Sequence, residues 1–266
     1  MPFVQTSTLR TYYQTAGAGP RLLYISGTGG DLRAKPSIFD SPLAQHFELL
    51  AYDQRGLGQT AVPDGPYTMR DYADDAGALL DALGWDRCLV MGVSFGGMVA
   101  QEFALRHPAR VERMVLACTS AGGAGSASYP LHELAHLDAE DRARHTLRIG
   151  DTRLADTERD NPERFAKLLA YMTNSDGIGA DNPDREKGRA LQLEARRHHD
   201  TYDRLPSLTM PVYICGGRYD GIAPPANLEA LHAQIPNSQL EFFEGGHLFM
   251  LQDRAAFPRV VEWLAS

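Results

Sequence analysis

Short apolar runs recur along the chain and alternate with amphipathic stretches, and this rhythm constrains the fold more than any other feature. A buried strand followed by a helix predicts βαβ units, so we expect an α/β fold with a mainly parallel sheet flanked by helices. The predicted strands cover residues 22–26, 47–53, 88–93, 111–117, 211–216 and 239–243. Residues 3–14 predict an antiparallel hairpin at the edge of the sheet.

Helical spacing of apolar residues marks the stretches between several of these strands. Residues 68–83 predict a helix that Thr68 caps at its start and Gly84 ends. A second helix follows the 88–93 strand directly, over residues 97–106, and a third closes the chain over residues 254–264. The helices therefore follow the strands as βαβ units require.

One long region interrupts the rhythm. Residues 122–203 contain no strand pattern, and their charges are dense around short helical stretches. An unstructured loop of this length is uncommon in a compact domain, so we expect a helical insertion. We predict an α/β core from residues 1–121 and 204–266, with residues 122–203 as a helical cap, or lid, over the carboxyl edge of the sheet.

Composition excludes several classes of function. The net charge of −8 argues against nucleic acid as a partner, because phosphate binding needs clustered Lys and Arg. No apolar run reaches the roughly 20 residues of a membrane span, and the first residues lack a secretory pattern. We therefore expect a cytoplasmic protein, with no membrane partner, and predict no particular oligomeric state. The three cysteines lie in apolar runs and are expected to be buried thiols.

The sequence Gly92-Val93-Ser94-Phe95-Gly96 lies between a predicted strand and a predicted helix. A serine on such a turn adopts a strained backbone conformation, and the flanking glycines let neighbouring backbone approach closely. The turn lifts the hydroxyl above the sheet edge at the positive end of the helix. A structural turn is the alternative, but the strand-turn-helix context favours Ser94 as a nucleophile.

A serine hydroxyl needs a base that accepts its proton. His247 follows the last predicted strand in a glycine-containing loop, Glu244-Gly245-Gly246-His247. An exposed loop histidine is the alternative, but the order of serine before histidine favours His247 as the base. His198 and His199 lie among charged residues on a helical stretch and are expected on a solvated face.

A carboxylate should orient the base. Asp220 directly follows the penultimate strand, so the order Ser94, Asp220, His247 is the one that accompanies such a turn. An Asx-turn before Gly221 is the structural alternative for Asp220. Glu244 is the rival acid, and we interpret it as a charged strand end.

Cleavage of a carbonyl also needs donors for the oxyanion, commonly backbone N–H groups. The N–H of Phe95, which follows the nucleophile, is the first predicted donor. The second is the N–H of Thr28 in the glycine-rich loop Gly27-Thr28-Gly29-Gly30. A phosphate-binding loop is the alternative for these glycines, but no Lys-Ser or Lys-Thr pair follows them.

With these motifs, the chain resembles the α/β-hydrolase superfamily over nearly its whole length. It is most similar to small bacterial esterases, 3-oxoadipate enol-lactonases and cofactor-free haloperoxidases. The resemblance implies that Asp53 and Arg55, in Asp53-Gln54-Arg55-Gly56-Leu57-Gly58, stabilise a loop and are not catalytic. The family's His-Gly before the oxyanion residue is replaced here by Ser26-Gly27, which should alter loop support more than chemistry.

The resemblance implies hydrolysis of a carboxylic ester or lactone of a small molecule through an acyl-enzyme, without cofactor or metal. Dehalogenases and epoxide hydrolases of this fold need an aspartate where Ser94 stands. Carbon–carbon hydrolases of ring-cleavage diketones usually have Asn where this chain has Val93, and they stay an alternative. A non-catalytic ligand receptor is a further alternative. A hypothesis for the substrate is a carboxylate held by Arg196 or Arg197.

Overall fold

A twisted sheet runs through the centre of the molecule. The computed structural model describes residues 2–175, 178, 179 and 182–266. Within this part, eight strands form one sheet in the order β1-β2-β4-β3-β5-β6-β7-β8. The strands are β1 (Phe3–Gln5), β2 (Arg10–Ala16), β3 (Arg21–Ile25), β4 (Glu48–Tyr52), β5 (Cys88–Val93), β6 (Val111–Ala117), β7 (Val212–Gly217) and β8 (Ser238–Phe243). The predicted α/β class and mainly parallel sheet are confirmed.

Strand direction decides where functional loops meet. Strands β3 to β8 are parallel, whereas β1 and β2 form the antiparallel hairpin expected at the edge. The carboxyl ends of β3, β5, β7 and β8 therefore lie at the same edge of the sheet. The loops that carry Thr28, Ser94, Asp220 and His247 all leave from this edge.

Helices cover both faces of the sheet. They are α1 (Leu43–His46), α2 (Met69–Ala82), α3 (Phe95–Arg106), α4 (Ala139–Gly150), α5 (Leu154–Asp160), α6 (Pro162–Ser175), α7 (Arg185–Arg197), α8 (Pro225–Gln234), α9 (Phe249–Gln252) and α10 (Ala256–Ala265). Two apolar cores result, one under α2, α3 and α8 and one under α1, α9 and α10. Thr68 caps α2 as predicted, and the side chain of Asp71 accepts a hydrogen bond from the Thr68 N–H.

The inserted region between β6 and β7 is helical and contains α4 to α7. Its two ends meet, because Gly122 pairs with Asp200 in an isolated bridge and the Thr201 N–H donates to the Ala121 carbonyl at 2.8 Å. Residues 176, 177, 180 and 181 of the predicted cap lie outside the described residues. That the inserted region is a separable cap with the bounds 122–203 stays a prediction.

The inserted helices differ in how they contact the rest of the molecule. Helix α7 lies against the loop after β4 so closely that a Cβ on Gly188 would overlap the carbonyl oxygen of Gly56. Lys187 also pairs with Asp64 at 2.8 Å. Helices α4 and α6 share a small separate cluster of Leu147, Phe165 and Leu169. Helix α7 is thus docked on the core, whereas α4 and α6 contribute an apolar cluster of their own.

Two expectations from composition concern the cysteines and the membrane. Cys88, Cys118 and Cys215 are buried and free, as predicted. In the part of the chain that the structure describes, the helices are all too short or too polar to cross a bilayer.

Candidate active site

Ser94 stands on a sharp turn between β5 and α3. Its backbone is left-handed, with φ 55° and ψ −118°, a conformation that is costly for a residue with a side chain. The turn is held by the Ser94 N–H, which donates to Ala117 O at 2.8 Å, and by the Thr119 hydroxyl, which donates to Ser94 O at 2.8 Å. Gly96 is obligatory because a Cβ there would overlap the backbone of Ile25.

His247 reaches Ser94 from the loop between β8 and α9. Its Nε2 lies 2.9 Å from Ser94 Oγ, and its Nδ1 lies 2.7 Å from Asp220 Oδ2. The ionised carboxylate only accepts, so the Nδ1 atom carries the proton and Nε2 presents its lone pair to the serine hydroxyl. The imidazole is oriented as a general base requires.

Asp220 satisfies both of the interpretations that the sequence allowed. Its Oδ1 accepts hydrogen bonds from the N–H groups of Ile222 at 2.8 Å and Ala223 at 2.9 Å, which closes an Asx-turn. Its Oδ2 faces His247. The side chain is fully buried, so all three bonds form away from solvent, where they are strong. Glu244, the rival acid, is exposed and pairs with Arg218 at 3.4 Å.

The end of α4 holds the two loops that carry Asp220 and His247. The Gly150 carbonyl accepts from the His247 N–H at 2.5 Å, and the Ile149 carbonyl accepts from the Gly221 N–H at 2.9 Å. These two hydrogen bonds were not predicted. In the sequence, Gly150 indicates only where the helix ends, and it does not indicate which loops that helix end contacts.

The two predicted oxyanion donors belong to segments that adjoin Ser94. Phe95 is the first residue of α3, so its N–H has no acceptor within the helix. Gly27, which precedes Thr28, abuts the nucleophile, because a Cβ on Gly27 would lie 3.4 Å from the Ser94 Cβ. That these two N–H groups bind an oxyanion stays a prediction.

Gln54 supports the loop that carries Thr28. This fully buried side chain donates from Nε2 to the Ser26 carbonyl at 2.8 Å and lies 3.2 Å from the Ser26 hydroxyl. Where the family has His-Gly, this chain has Ser26-Gly27, and Gln54 from the loop after β4 holds Ser26 in place through these hydrogen bonds. Sequence analysis did not assign this role to Gln54.

Asp53 and Arg55 contact loops and other side chains away from Ser94. Asp53 accepts from the N–H groups of Leu32 and Gln59, both at 2.8 Å. Burial raises the pKa of the Asp53 carboxyl to about 7, although the two backbone donors oppose the shift. Arg55 forms a two-point pair with Asp75 at 2.6 and 2.8 Å. These contacts are those of loop stabilisers.

Cys118 lies beside the Asp220–His247 pair. The ligating atoms of these three residues lie within 4.8 Å of one another, the one such cluster of metal-binding side chains among the described residues. Burial, and then the Asp220 charge, hold the pKa of the Cys118 thiol well above its usual value. A protonated thiol is a poor metal ligand, and both Asp220 oxygens already accept hydrogen bonds. The cluster therefore fits a hydrogen-bonded pair with a neutral thiol neighbour.

The prediction of a solvated face for His198 and His199 was wrong for His199. Arg197 and His198 are exposed, but Arg196 and His199 are buried. Their spacing of three places them on the one side of the chain that faces the core. Arg196 donates to Tyr129 O and to Ser128 Oγ, both at 2.7 Å. Neither Arg196 nor Arg197 lines the cavity described next, so the predicted carboxylate site at these residues is not supported.

A cavity of about 390 Å³ lies between the Thr28 loop and the inserted helices. Its wall includes apolar side chains from the core and from α4, α6 and α7, together with arginines and Gln192. Representative lining residues are Thr28, Leu57, Leu134, Ala143, Met172 and Gln192. The cavity borders the loop of the predicted oxyanion donor Thr28, whereas Ser94 and His247 are not among its lining residues.

Comparison with known proteins agrees with this geometry. A family model described as "alpha/beta hydrolase fold" matches residues 20–253. A poly(3-hydroxyalkanoate) depolymerase from Ectopseudomonas oleovorans is 30% identical over 91% of this chain and 83% of its own length. The 3-oxoadipate enol-lactonase 2 of Acinetobacter baylyi is 26% identical over 94% of this chain and 91% of its own. The crystal structure of the enol-lactonase from Burkholderia xenovorans LB400 superposes with a TM-score of 0.80 at 25% identity, covering 100% of both chains.

Proposed function

Because the chain belongs to the alpha/beta hydrolase family, we propose that it is a serine hydrolase that cleaves a carboxylic ester or lactone of a small molecule. The observation that carries the proposal is the continuous line of hydrogen bonds at the carboxyl edge of the sheet. Ser94 Oγ lies 2.9 Å from His247 Nε2, and His247 Nδ1 lies 2.7 Å from Asp220 Oδ2. In such an arrangement the imidazole can accept the proton of the serine hydroxyl, which makes the serine oxygen a reactive nucleophile.

In the first half of the proposed reaction, Ser94 Oγ attacks the carbonyl carbon while its proton moves to His247 Nε2. The buried Asp220 carboxylate stabilises the imidazolium that forms. The carbonyl oxygen becomes an oxyanion that accepts hydrogen bonds from the N–H groups of Phe95 and Thr28. His247 then protonates the leaving oxygen, and the carbon–oxygen bond breaks to leave an acyl-enzyme. With a lactone, the released alcohol stays attached to the acyl group.

In the second half, water replaces the alcohol. His247 Nε2 accepts a proton from the water as its oxygen attacks the acyl carbon, and the same two N–H groups bind the second oxyanion. Collapse of this intermediate returns the proton to Ser94 Oγ and releases the acid. No step needs a metal or a redox group.

The names of two relatives support an ester or lactone as the bond cleaved. One is a depolymerase of poly(3-hydroxyalkanoate), and the other is an enol-lactonase. If the protein cleaved the carbon–carbon bond of a ring-cleavage diketone and no ester, the carbon–carbon hydrolase alternative would replace the proposal. Turnover of any substrate would exclude a non-catalytic receptor.

The first prediction tests the nucleophile. Ser94→Ala should lower kcat for p-nitrophenyl acetate by roughly 10⁴ to 10⁶-fold, because the members of such a unit act together. The wild-type protein should react with a fluorophosphonate at Ser94, as peptide mapping by mass spectrometry would reveal. A folded Ala variant, checked by its melting temperature, is required for the comparison.

Ser126 offers a matched control. It is a serine with a left-handed backbone, φ 66°, but it is exposed in the loop after β6. Ser126→Ala should keep the wild-type rate and the label on Ser94. Near-native turnover by Ser94→Ala, or a label on another serine, would contradict the proposal.

A further inference from the structure

Gln192 connects the inserted helix α7 to the loop of the predicted oxyanion donor. Its side chain is fully buried, and its Oε1 accepts a hydrogen bond from the Gly29 N–H at 2.8 Å. Because Gly29 follows Thr28 directly, this bond restrains the backbone next to the nucleophile. An atom that accepts from an N–H must be the amide oxygen, so the bond also determines which way the amide group is turned.

The other end of the same amide is unsatisfied. Gln192 Nε2 is buried and has no hydrogen-bond partner among the described residues. Gln101, a comparable buried glutamine on α3, donates to Gly97 O at 3.1 Å and Ser120 O at 3.0 Å and accepts from the Thr201 hydroxyl at 2.6 Å. A buried donor without an acceptor costs free energy, so its presence in α7 calls for a reason.

A second unsatisfied polar atom belongs to the loop that Gln192 contacts. The Thr28 hydroxyl is buried and also lacks a partner within the described ranges. Thr28 and Gln192 both line the cavity of about 390 Å³ between the Thr28 loop and the inserted helices. The two residues are also connected through the backbone, because Gln192 bonds to Gly29 and Gly29 directly follows Thr28.

We infer that Gln192 Nε2, with the Thr28 hydroxyl, binds a second acceptor oxygen of the substrate. The inference rests on the proposed function and adds the substrate class. The enzyme prefers an ester or lactone with a further hydroxyl, keto or carboxylate oxygen in the part that fills the cavity. A site with donors of this kind discriminates against an analogue that lacks the oxygen, because the buried groups then stay unpaired. In this reading Gln192 is a specificity residue and, through Oε1, a positioning residue.

Two matched substrate pairs test the inference. One pair differs on the acyl side, p-nitrophenyl butyrate against p-nitrophenyl 3-hydroxybutyrate. The other differs on the alcohol side, butyl acetate against 3-hydroxybutyl acetate. The wild type should prefer the oxygen-bearing member of at least one pair by about ten-fold or more in kcat/KM, the effect expected for one buried hydrogen bond.

Gln192→Met keeps the length of the side chain and removes both polar atoms. Loss of the bond to Gly29 should lower kcat for both members of a pair by a common factor, whereas loss of Nε2 should remove the preference and bring the ratio towards one. Thr28→Val, which keeps the backbone N–H, should reduce the same ratio. Glu194→Gln, exposed on the opposite side of α7, should leave activity and ratio unchanged.

Binding provides a readout that is independent of turnover. In the Ser94→Ala background, methyl 3-hydroxybutyrate should bind more tightly than methyl butyrate by calorimetry, and Gln192→Met should abolish the difference. The inference is overturned if the wild type shows no preference in either pair, or if the preference survives in Gln192→Met. Failure of the proposed function is distinct, since it would leave every ester uncleaved and Ser94 unlabelled. If Gln192→Met does not fold, the wild-type ratios and Thr28→Val decide.

Discussion

At the scale of single residues, Asp220 combines a structural and a chemical contact in one carboxylate. Oδ1 accepts from the N–H groups of Ile222 and Ala223, and Oδ2 faces His247. The two contacts can be separated by mutation, because an amide retains an acceptor at one end but presents a donor at the other.

We predict that Asp220→Asn lowers kcat by about ten thousand-fold with little loss of stability. The amide nitrogen would donate to His247 Nδ1, so Nε2 would carry the proton and could not accept one from Ser94. Asp220→Ala should lose as much activity and, in addition, about 1–3 kcal/mol in the free energy of unfolding, because two buried N–H groups lose their acceptor. Ester assays and urea titrations measure both. An Asn variant with near-native kcat would refute the tautomer role.

At the scale of elements, α7 is an inserted helix that packs directly against the core. Its Gly188 lies against the backbone of Gly56, and Gln192, one helical turn later, bonds to Gly29. Because Gly188 has no side chain, α7 can lie close enough to the core for Gln192 to bond to Gly29.

We predict that Gly188→Ala lowers the free energy of unfolding by about 1–3 kcal/mol, the usual cost of overpacking. It should also lower kcat/KM, because displacement of α7 would lengthen the bond between Gln192 and Gly29. Gly150→Ala is the stability control, since a Cβ at that residue would have no atom within 4 Å. Thermal melts of both variants measure the effect. Equal melting temperatures for the two would show that α7 can move away from Gly56 without cost.

At the scale of the whole molecule, His199 links the inserted region to stability at low pH. The ring is buried, and its Nε2 lies 3.1 Å from Ser120 O. Burial lowers the pKa of His199 to about 4, although the charges of Glu102 and Asp200 oppose the shift. The neutral ring is therefore the native form across most of the acidic range.

The sign of the pH effect follows from the two states. The unfolded chain binds a proton at His199 below about pH 6.5, whereas the native protein does not until about pH 4. His199 therefore contributes stability that is present above pH 6.5 and lost as pH falls to 4, by about 3 kcal/mol in total. Asp53, whose pKa is raised to about 7, acts in the opposite direction, as its contribution is lost when pH rises through 7.

Comparison with a variant isolates the histidine, because Asp53 is present in both proteins. His199→Gln retains an N–H donor for Ser120 O and cannot titrate. Between pH 6.5 and 4, the wild type should lose about 3 kcal/mol more of its free energy of unfolding than the variant does in urea titrations. Parallel pH curves for the two proteins would contradict the assignment.

Local pattern in the sequence was enough to predict the sheet and the loops that meet at its edge. Apolar runs of strand length, a serine between glycines, and an aspartate and a histidine each directly after a strand are all short-range signals. Parallel strands then bring their carboxyl ends together whatever else the chain does. Ser94, Asp220 and His247 could therefore be expected to lie near one another before any contact between them was known.

Local sequence pattern did not predict how the inserted region packs against the core. Residues 185–200 are dense in charge, and the buried side of α7 carries Gly188, Gln192 and Ala195 and not a stripe of large apolar residues, so His199 was assigned to solvent. Gln192 and Gly150 carried no motif, yet one bonds to Gly29 and the other to His247. By itself the sequence determined the secondary structure of the core and the residues at its carboxyl edge. Only the tertiary structure decided how the inserted helices lie on that edge, because their orientation depends on contacts between residues far apart in the sequence, 163 positions in the case of Gly29 and Gln192.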